Sequence, residues 1–412
     1  QLWRNLGDGK FEEVTGQAGV DDDRWSVSAA WVDYDRDGWL DLYVGNYLKH
    51  SIETDRRWCM IKLERDYCSP LRGAGDTDSL FRNRGDGSFE DVSESSGIRK
   101  AYGGALGVVA ADFDGDRWPD IYVANDGVAN QLWMNKRDGR FINEALLAGV
   151  AVNKDGMPEA SMGVDAADFD GDGDEDLFMT HLSRETNTLY INDGKGWFED
   201  RTVAMGLANP SFAYTGFGTA WFDYDNDGWL DVLAVNGAVR KIQDLVEAGD
   251  PHPLHQPNQL FRNLGDGRYR EVTAEAGPAF TVSLVSRGAA FGDLDQDGDT
   301  DVIIANNSGP ARVLRNDTGS SANWVGLRLL NADGRSDAFG ARVILDGENP
   351  LWRRSRADGS YASSNDPRVI VGLGSRTDAS VAVQVIWPNG EEERWPEMDT
   401  RRYHTLRQGQ GH

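Results

Sequence analysis

Short apolar stretches separated by turns rich in glycine and aspartate run along most of the chain. An aromatic or small-residue stretch leads into an acidic loop, and a short apolar run follows it, as at residues 40–44 and 230–235. Two more runs come next, joined by a Gly-Asp-Gly turn, as at residues 260–263 and 269–272. Asp-Gly between alternating apolar runs is a strong hairpin signal, because these turns need positive φ. The pattern predicts four short antiparallel strands in each repeat.

The acidic loop has the form Asp-x-Asp-x-Asp-x-x-x-Asp and occurs five times. Its first aspartates are separated by 79, 56, 55 and 70 residues, which fits a unit of about 55 residues with two insertions. Repetition at this period is typical of propellers, solenoids and arrays. Because four antiparallel strands make a propeller blade, we predict an all-β fold, a β-propeller of four-stranded blades.

The number of blades stays open at this point. Residues 2–14 look like the third and fourth strands of a blade without its first half, and the last repeat changes character after residue 316. Either the two ends complete one blade, or an upstream half-blade is missing and the intact protein has six or seven blades. The chain opens on repeat sequence at Gln1 with no signal peptide visible, which fits a mature or trimmed product.

The end of the chain has a different pattern. After a linker at residues 317–321, apolar alternation at residues 325–330, 341–345 and 381–387 predicts about five strands in a small sandwich or barrel. We therefore predict two domains, a propeller at 1–316 and a β domain at 323–412.

The acidic loops have the composition of calcium sites. Calcium takes six to eight oxygen ligands at about 2.3–2.6 Å. Side chains at positions 1, 3 and 5, a carbonyl at position 7 and both oxygens at position 9 supply them. About five Ca²⁺ ions are expected, and magnesium, which prefers a compact octahedron with retained waters, fits less well. The predicted ligands are Asp33, Asp35, Asp37, Trp39, Asp41, Asp112, Asp114, Asp116, Trp118, Asp120, Asp168, Asp170, Asp172, Asp174, Asp176, Asp223, Asp225, Asp227, Trp229, Asp231, Asp293, Asp295, Asp297, Asp299 and Asp301.

Twenty carboxylates in groups of four would repel one another strongly without counterions. Position 6 is glycine in four loops, which suits a sharp turn, but the second loop has Arg117. A left-handed conformation there costs about 1 kcal/mol, so a weaker or reshaped second site is expected.

The charge and composition of the chain exclude some classes of binding partner. The chain has 68 acidic against 42 basic residues, a formal charge of −26, which disfavours nucleic acids and anionic lipids as partners. No apolar run is long enough to span a membrane. The two cysteines, Cys59 and Cys68, lie in one insertion, and export would favour a disulfide over two free thiols.

The two insertions that break the repeat of about 55 residues, and one arginine, are candidates for ligand binding. Residues 47–78 include Trp58, and residues 237–258 include His252 and His255; they form either a binding rim or plain surface loops. The histidines are close enough for a metal or acid–base role, although the flanking prolines do not force them to converge. Arg287 is a candidate for holding a carboxylate or phosphate in the channel, or for a structural ion pair.

The repeats resemble the FG-GAP/VCBS family of calcium-binding propellers over residues 1–316. The remainder resembles the ASPIC/UnbV domain, on the motifs Gly340-Ala341-Arg342-Val343 and Trp387-Pro388-Asn389-Gly390 among others. Together they match the arrangement of the cartilage-acidic-protein-like family, in which the Cys59 and Cys68 insertion also recurs. The resemblance implies extracellular calcium binding and, in animal members, matrix or receptor interaction; it implies no settled reaction.

Two functions remain under consideration. No nucleophile elbow, metalloprotease motif, Walker loop or dinucleotide fingerprint is present, so no catalytic residue is nominated. The first function is a secreted (extracellular or periplasmic) calcium-binding propeller for adhesion or interaction with an extracellular protein or glycan. The second is a calcium-dependent enzyme, a cyclase, lyase or glycan-acting protein, with its site on the propeller face or at the domain junction. A deep channel where Arg287 meets a histidine would favour the enzyme, and an aromatic or acidic rim would favour binding.

Overall fold

The computed structural model describes residues 1–50, 59–61, 64–66, 69, 73–347 and 350–412. Trp58 and Cys68 lie outside the described residues, so the role of Trp58 and the Cys59–Cys68 disulfide stay predictions.

Short antiparallel strands build the first three quarters of the chain. They are β1 (Trp3–Gly7), β2 (Lys10–Glu13), β3 (Ser26–Val32), β4 (Asp41–Asn46), β5 (Cys59–Ile61), β6 (Glu64–Asp66), β7 (Ser79–Asn83), β8 (Phe89–Asp91), β9 (Ala105–Ala111), β10 (Asp120–Asn125), β11 (Gln131–Asn135), β12 (Phe141–Asn143), β13 (Val164–Ala167), β14 (Asp176–Met179), β15 (Thr188–Asn192), β16 (Phe198–Asp200), β17 (Gly216–Phe222), β18 (Asp231–Asn236), β19 (Gln259–Asn263), β20 (Tyr269–Glu271), β21 (Ser286–Gly292), β22 (Asp301–Asn306) and β23 (Arg312–Leu314).

These strands form successive propeller blades, which confirms the predicted fold class. Four sheets have four strands each: β3-β4-β7-β8, β9 to β12, β13 to β16, and β17 to β20. The fifth blade is the three-stranded sheet β21-β22-β23, and β1-β2 and β5-β6 form separate hairpins. Among the described residues the two chain ends therefore do not combine into one sheet, because β1 pairs with β2 and not with β23.

Apolar side chains between neighbouring blades form the core. Val109 of β9 and Leu177 of β14, both fully buried, belong to one cluster between the second and third blades. Leu233 of β18 and Ile304 of β22 belong to another cluster, between the fourth and fifth blades. Each blade thus buries its face against the next one rather than folding around a core of its own.

Helices are short and lie in the connections. They are α1 (Thr15–Ala18), α2 (Ala145–Ala148), α3 (Ala208–Ser211) and α4 (Gln243–Glu247), with 3₁₀ turns at Ile98–Lys100, Pro278–Thr281 and Gly319–Ser321. In the part of the chain that the structure describes, none of the helices has the length and apolar character needed to cross a membrane.

A β-sandwich follows the propeller. Its strands are β24 (Trp324–Leu330), β25 (Arg342–Leu345), β26 (Leu351–Arg354), β27 (Val369–Gly372), β28 (Ser380–Ile386), β29 (Glu392–Asp399) and β30 (Tyr403–Arg407). One sheet has the order β27-β24-β30 and the other β26-β25-β28-β29, with a shared core that includes Leu327, Val343 and Val383. The boundaries 1–316 and 323–412 stay a prediction.

Residues 356–366, within the connection between β26 and β27, enter the propeller channel, and we call this segment the finger. Its Ser360 exchanges backbone hydrogen bonds with Val164 on the third inner strand, and its hydroxyl donates to the carbonyl of Ala289 on the fifth at 2.7 Å. The Asp358 carboxylate accepts the N–H of Ala110 on the second inner strand at 2.6 Å. Polar contacts also reach the first and fourth inner strands. A segment of the C-terminal domain thus contacts all five blades.

In four of the five blades an asparagine at or just after the end of the third strand bonds to the preceding blade. The Asn192 side chain donates to the carbonyls of Phe113, in the preceding blade, at 2.9 Å and of Glu175, in its own blade, at 3.1 Å. Asn135, Asn263 and Asn316 make equivalent bonds to the blade before them. These asparagines help to set the spacing between blades.

Replacing Asn192 with alanine is expected to lower the free energy of unfolding by about 1–3 kcal/mol, because two buried carbonyls lose their donor. Asn83→Ala is the matched control, since the side-chain amide of Asn83 donates to the carbonyl of Leu40 in its own blade. Denaturant unfolding of both variants measures the difference. If both variants lose the same free energy of unfolding, the hydrogen bond between blades contributes no more to stability than one within a blade.

Candidate metal centres and binding face

Each acidic loop joins the inner strand of a blade to its second strand, and position 9 anchors it. In the first loop, Asp41 accepts the N–H of Tyr34 at 3.2 Å through Oδ2 and the N–H of Asn83 at 2.7 Å through Oδ1. The aspartates with the same pair of bonds are Asp120, Asp176, Asp231 and Asp301. Both oxygens thus tie the loop to the blade, and chelation through both of them stays a prediction.

Two left-handed residues shape the loop. Position 6 takes positive φ and donates its N–H to the position 1 carboxylate, as Gly38 does to Asp33 at 3.0 Å. Arg117 takes φ 72° at position 6 of the second loop, the conformation that the sequence predicts to be costly there. Position 4 is also left-handed, which the sequence analysis did not anticipate. Its residues are Arg36, Gly115, Gly171, Asn226 and Gln296.

The loops gather carboxylates into five groups that could hold a metal ion. In each group three carboxylate oxygens lie within 4.8 Å of one another. The groups are Asp33, Asp35 and Asp37; Asp112, Asp114 and Asp120; Asp168, Asp170 and Asp176; Asp223, Asp225 and Asp231; and Asp293, Asp295 and Asp297. Position 9 therefore joins the group in the middle three loops, and position 5 joins it in the first and last. The carbonyls of Trp39, Trp118, Asp174, Trp229 and Asp299 stay predicted ligands.

Unpartnered oxygens show that the loops fit a cation. Every loop has at least one buried carboxylate oxygen that accepts no hydrogen bond from the described residues. These are Oδ1 of Asp33, Asp112, Asp170, Asp174, Asp225 and Asp299. A buried carboxylate oxygen without a partner is costly, and a hard cation satisfies several of them at once.

Burial and mutual repulsion make these carboxylates hard to ionise without a metal. Burial, together with the charges of neighbouring aspartates, raises the pKa of Asp41 to about 8 and that of Asp231 to about 9. Burial, together with the charges of its loop neighbours, raises the pKa of Asp174 to about 7. Burial also raises the pKa of Asp223 to about 7, against the opposing effect of Arg353.

The stability of metal-free protein is expected to fall as pH rises from about 5 to 9. A carboxylate with a raised folded-state pKa stabilises the fold while it is protonated, near or below its unfolded pKa of about 4. That contribution is lost as pH passes the folded values of about 7 to 9. Melting curves across this range, with chelator or calcium, measure the effect. Calcium should flatten the dependence, and a metal-free protein that gains stability with pH would contradict the assignment.

Arginines near the loops differ from blade to blade. Arg82 approaches Asp35 to 2.7 Å, and Arg262 approaches Asp225 to 2.7 Å. Ile191 occupies the corresponding third-strand position of the third blade, whose loop has five aspartates. With Glu175 as a sixth acidic residue, the third loop is the most acidic of the five, and its own third strand places no arginine beside it.

The C-terminal sandwich covers the face of the propeller that carries the loops. The Tyr403 hydroxyl donates to Asp293 Oδ2 at 2.6 Å, and Arg342 pairs with Asp112 at 3.1 Å. Gly298 packs beneath Trp324 so closely that a Cβ at this position would overlap the indole ring. The sandwich thus contributes directly to the surroundings of the predicted metal loops.

A bowl of about 550 Å³ opens at the other end of the channel. Its lining includes residues at or just before the inner strands, such as Val27 and Phe217, whereas the acidic loops follow the opposite ends of those strands. Ser69 and Leu254, one from each insertion, also line it. Both insertions therefore border the same cavity, which we call the bowl.

Arg287 lines the bowl and is held by the protein. Its guanidinium donates to the carbonyls of Gly237 at 2.8 Å and Ser286 at 2.8 Å, and lies 3.9 Å from the ring centre of Phe217. His252 and His255 stack with ring centres 4.5 Å apart, so the two rings come together despite the prolines. Neither histidine is among the residues that line the bowl.

Sequence reasoning missed the inter-blade asparagines and the bowl carboxylates Asp126 and Glu185. The asparagines were detectable, because each repeat has one at or just after the end of its third strand. Asp126 and Glu185 belong to no repeated motif, and they line one cavity only because the chain folds that way.

Comparison with known proteins agrees with this architecture. A family model described as FG-GAP-like repeat matches residues 1–44, 71–123, 112–179, 168–234 and 241–304. The chain belongs to the FG-GAP-like repeat family. A second model, ASPIC and UnbV, matches residues 332–412 of this FG-GAP chain.

Relatives of this FG-GAP chain include Cartilage acidic protein 1 of Homo sapiens, 27% identical over 378 residues, covering 88% of this chain and 50% of the relative. The Xenopus tropicalis protein of the same name is 26% identical over 389 residues, covering 92% and 54%. The chain thus spans about half the length of these relatives. Among solved structures, an Agrocybe aegerita lectin that recognises non-reducing terminal N-acetylglucosamine aligns at 18% identity and TM-score 0.38, covering 77% of this chain and 76% of the lectin.

Proposed function

We propose that this protein is an exported, calcium-stabilised propeller that binds an extracellular partner and catalyses no reaction. The observation that carries the proposal is the filled channel: the finger reaches all five inner strands from one end, which leaves the bowl as a blind cavity at the other. Calcium in the five loops holds the blades in place, and extracellular calcium fills even sites of about 10⁻⁴ M affinity.

The surroundings of the bowl favour binding over catalysis. Arg287 is engaged by backbone carbonyls, and no histidine is among the described residues that line the bowl; His50 packs against the outer residue Trp25, with ring centres 5.4 Å apart. Within the described lining, the pairing of Arg287 with a histidine that an enzyme would favour is therefore not seen. Trp25 at the rim is 47% exposed, and Asp126 and Glu185 add acidic groups. This is the aromatic and acidic rim expected of a binding protein.

A buried Ser–His contact has no access to substrate. Ser161 Oγ lies 3.1 Å from His181 Nε2, the arrangement of a nucleophile and its base. The two residues are 0% and 1% exposed, and burial lowers the pKa of His181 to about 4. We therefore assign this pair to the core.

The proposal is tested with the calcium-loaded full chain on arrays of extracellular proteins and glycans. We expect retention on at least one class of probe and loss of retention in chelator, because the loops hold the blades that shape the bowl. A chain that binds nothing, yet releases unsaturated products from an acidic polysaccharide, would instead establish the lyase alternative.

A further inference from the structure

We propose that the bowl is a saccharide site that takes a neutral pyranoside, an inference that rests on the proposed binding function. Its volume of about 550 Å³ lies within the range of small-molecule sites, about 300–1,000 Å³. Its lining combines aromatic rings with a few polar groups, and such polar groups fix a ligand's orientation.

Aromatic rings form the rim and the floor. At the rim, Trp25 meets Tyr47 edge to face, with ring centres 5.2 Å apart. At the floor, Tyr361 meets Phe217 edge to face at 5.0 Å. Trp25 is 47% exposed, so part of its ring remains open to a ligand. The C–H face of a sugar ring is apolar and packs on such surfaces, while its hydroxyls remain at the edge for hydrogen bonds.

Two carboxylates provide acceptors for hydroxyl groups. Asp126 accepts the Tyr47 hydroxyl at 2.6 Å through one oxygen. Glu185 accepts the N–H groups of Ala160 at 3.0 Å and Leu182 at 3.4 Å through Oε2. Each carboxylate is thus held in place through one oxygen. A carboxylate has about four lone-pair sites, so both retain capacity for ligand hydroxyls.

Charge in the bowl favours a neutral sugar over an acidic one. Two carboxylates, Asp126 and Glu185, and two arginines, Arg240 and Arg287, line the bowl, so its formal charges balance, while the whole chain has a formal charge of −26. Arg287 is the natural partner for a carboxylate, but its guanidinium is committed to the carbonyls of Gly237 and Ser286. A bowl with balanced charge suits a neutral, hydroxyl-rich ring, which meets acceptors there, whereas the negative charge of the whole chain disfavours the approach of a uronate.

The site is built from both domains. Tyr361 lies in the finger, and its surroundings include Arg287 and Asp126, both on propeller blades. The C-terminal domain therefore supplies part of the floor of a cavity whose walls are propeller loops. Ligand binding then depends on the finger being seated in the channel.

The test is isothermal titration calorimetry of the calcium-loaded full chain with methyl glycosides. The probes are the glucoside, galactoside, mannoside and N-acetylglucosaminide, with methyl glucuronide and choline as charged comparisons. We expect saturable binding of at least one neutral glycoside. Trp25→Ala and Asp126→Asn should each weaken it about tenfold or more, because a ring platform and a charged acceptor are lost.

Trp197→Ala is the matched control, since Trp197 is 56% exposed and lies outside the bowl lining. The Trp197→Ala variant should bind the glycoside with the affinity of the parent protein. Melting curves are used to confirm that every variant folds. No binding of any neutral glycoside, exclusive binding of glucuronide or choline, or undiminished binding in both bowl variants overturns the inference. If the arrays described above retain an extracellular protein while no glycoside binds, only this inference fails; if they retain nothing, the proposed function fails with it.

Discussion

Removal of calcium is expected to lower the melting temperature by roughly 10–20 °C. A ligand present at 100 times its Kd stabilises the folded state by about 2.7 kcal/mol per site, and five sites act together. Without the ion, each loop keeps at least one buried carboxylate oxygen without a partner, beside other aspartates. Thermal melts with calcium, magnesium and chelator, alongside metal content by mass spectrometry, measure the effect.

A single loop provides a sharper version of this experiment. Asp170→Ala removes a grouped carboxylate in the third loop and should abolish one calcium per chain. Asp266→Ala is the control, because Asp266 is an exposed turn residue that caps Arg268 and belongs to no metal group. Magnesium should restore less stability than calcium, since it holds its waters more tightly. One or no calcium in the parent, or an unchanged melt in chelator, would refute the metal assignment.

Breaking the ion pair between the finger and the third blade is expected to cost about 3–5 kcal/mol. Arg356 pairs with Asp165 through both guanidinium nitrogens, one of them 2.6 Å from Oδ2. The Asp165 side chain is fully buried and also accepts the N–H of Trp221 at 2.8 Å. Arg356→Met leaves this carboxylate charged and without its cation, so we expect a large loss of stability in both domains.

Denaturant unfolding of Arg356→Met and of Arg328→Met separates this effect from the loss of any arginine. Arg328 pairs with Asp337 but is 49% exposed, so its removal should cost about 1 kcal/mol or less. Adding Asp165→Asn to Arg356→Met should recover part of the stability, because no buried charge remains. If Arg356→Met unfolds the sandwich in a separate transition and leaves the propeller unchanged, the finger does not hold the blades together.

The acidic loops, the finger and the bowl are structurally connected. The sandwich contacts the first aspartates of two loops through Tyr403 and Arg342, and the finger that leaves it ends at the bowl. Docking of the sandwich and filling of the loops therefore involve the same face of the propeller. Calcium removal and Arg356→Met both perturb the loop-bearing face or the finger that starts there. Their effects on ligand binding would show whether the bowl at the opposite face depends on them.

The repeat, the blade and the positions of the aspartate groups can be read from the sequence, because they depend on local patterns. Asp-Gly turns with positive φ and short apolar runs specify hairpins wherever they occur, and alternating aspartates on one tight loop lie close together in any fold. Arg117 illustrates this, since its left-handed conformation follows from its place in the loop. The alternation in residues 381–387 likewise identified a strand of the sandwich.

The segment that fills the channel and the residues that line the bowl could not be predicted from the sequence, because long-range packing places them. The finger carries a Gly-Ser-Tyr motif, but its contacts with Val164 and Ala289 join residues far apart in the chain. Asp126 and Glu185 share no local pattern, and their meeting depends on how the blades are arranged around the axis. Such long-range placements arise from packing between blades and from burial of the sandwich on the propeller, which no local periodicity encodes.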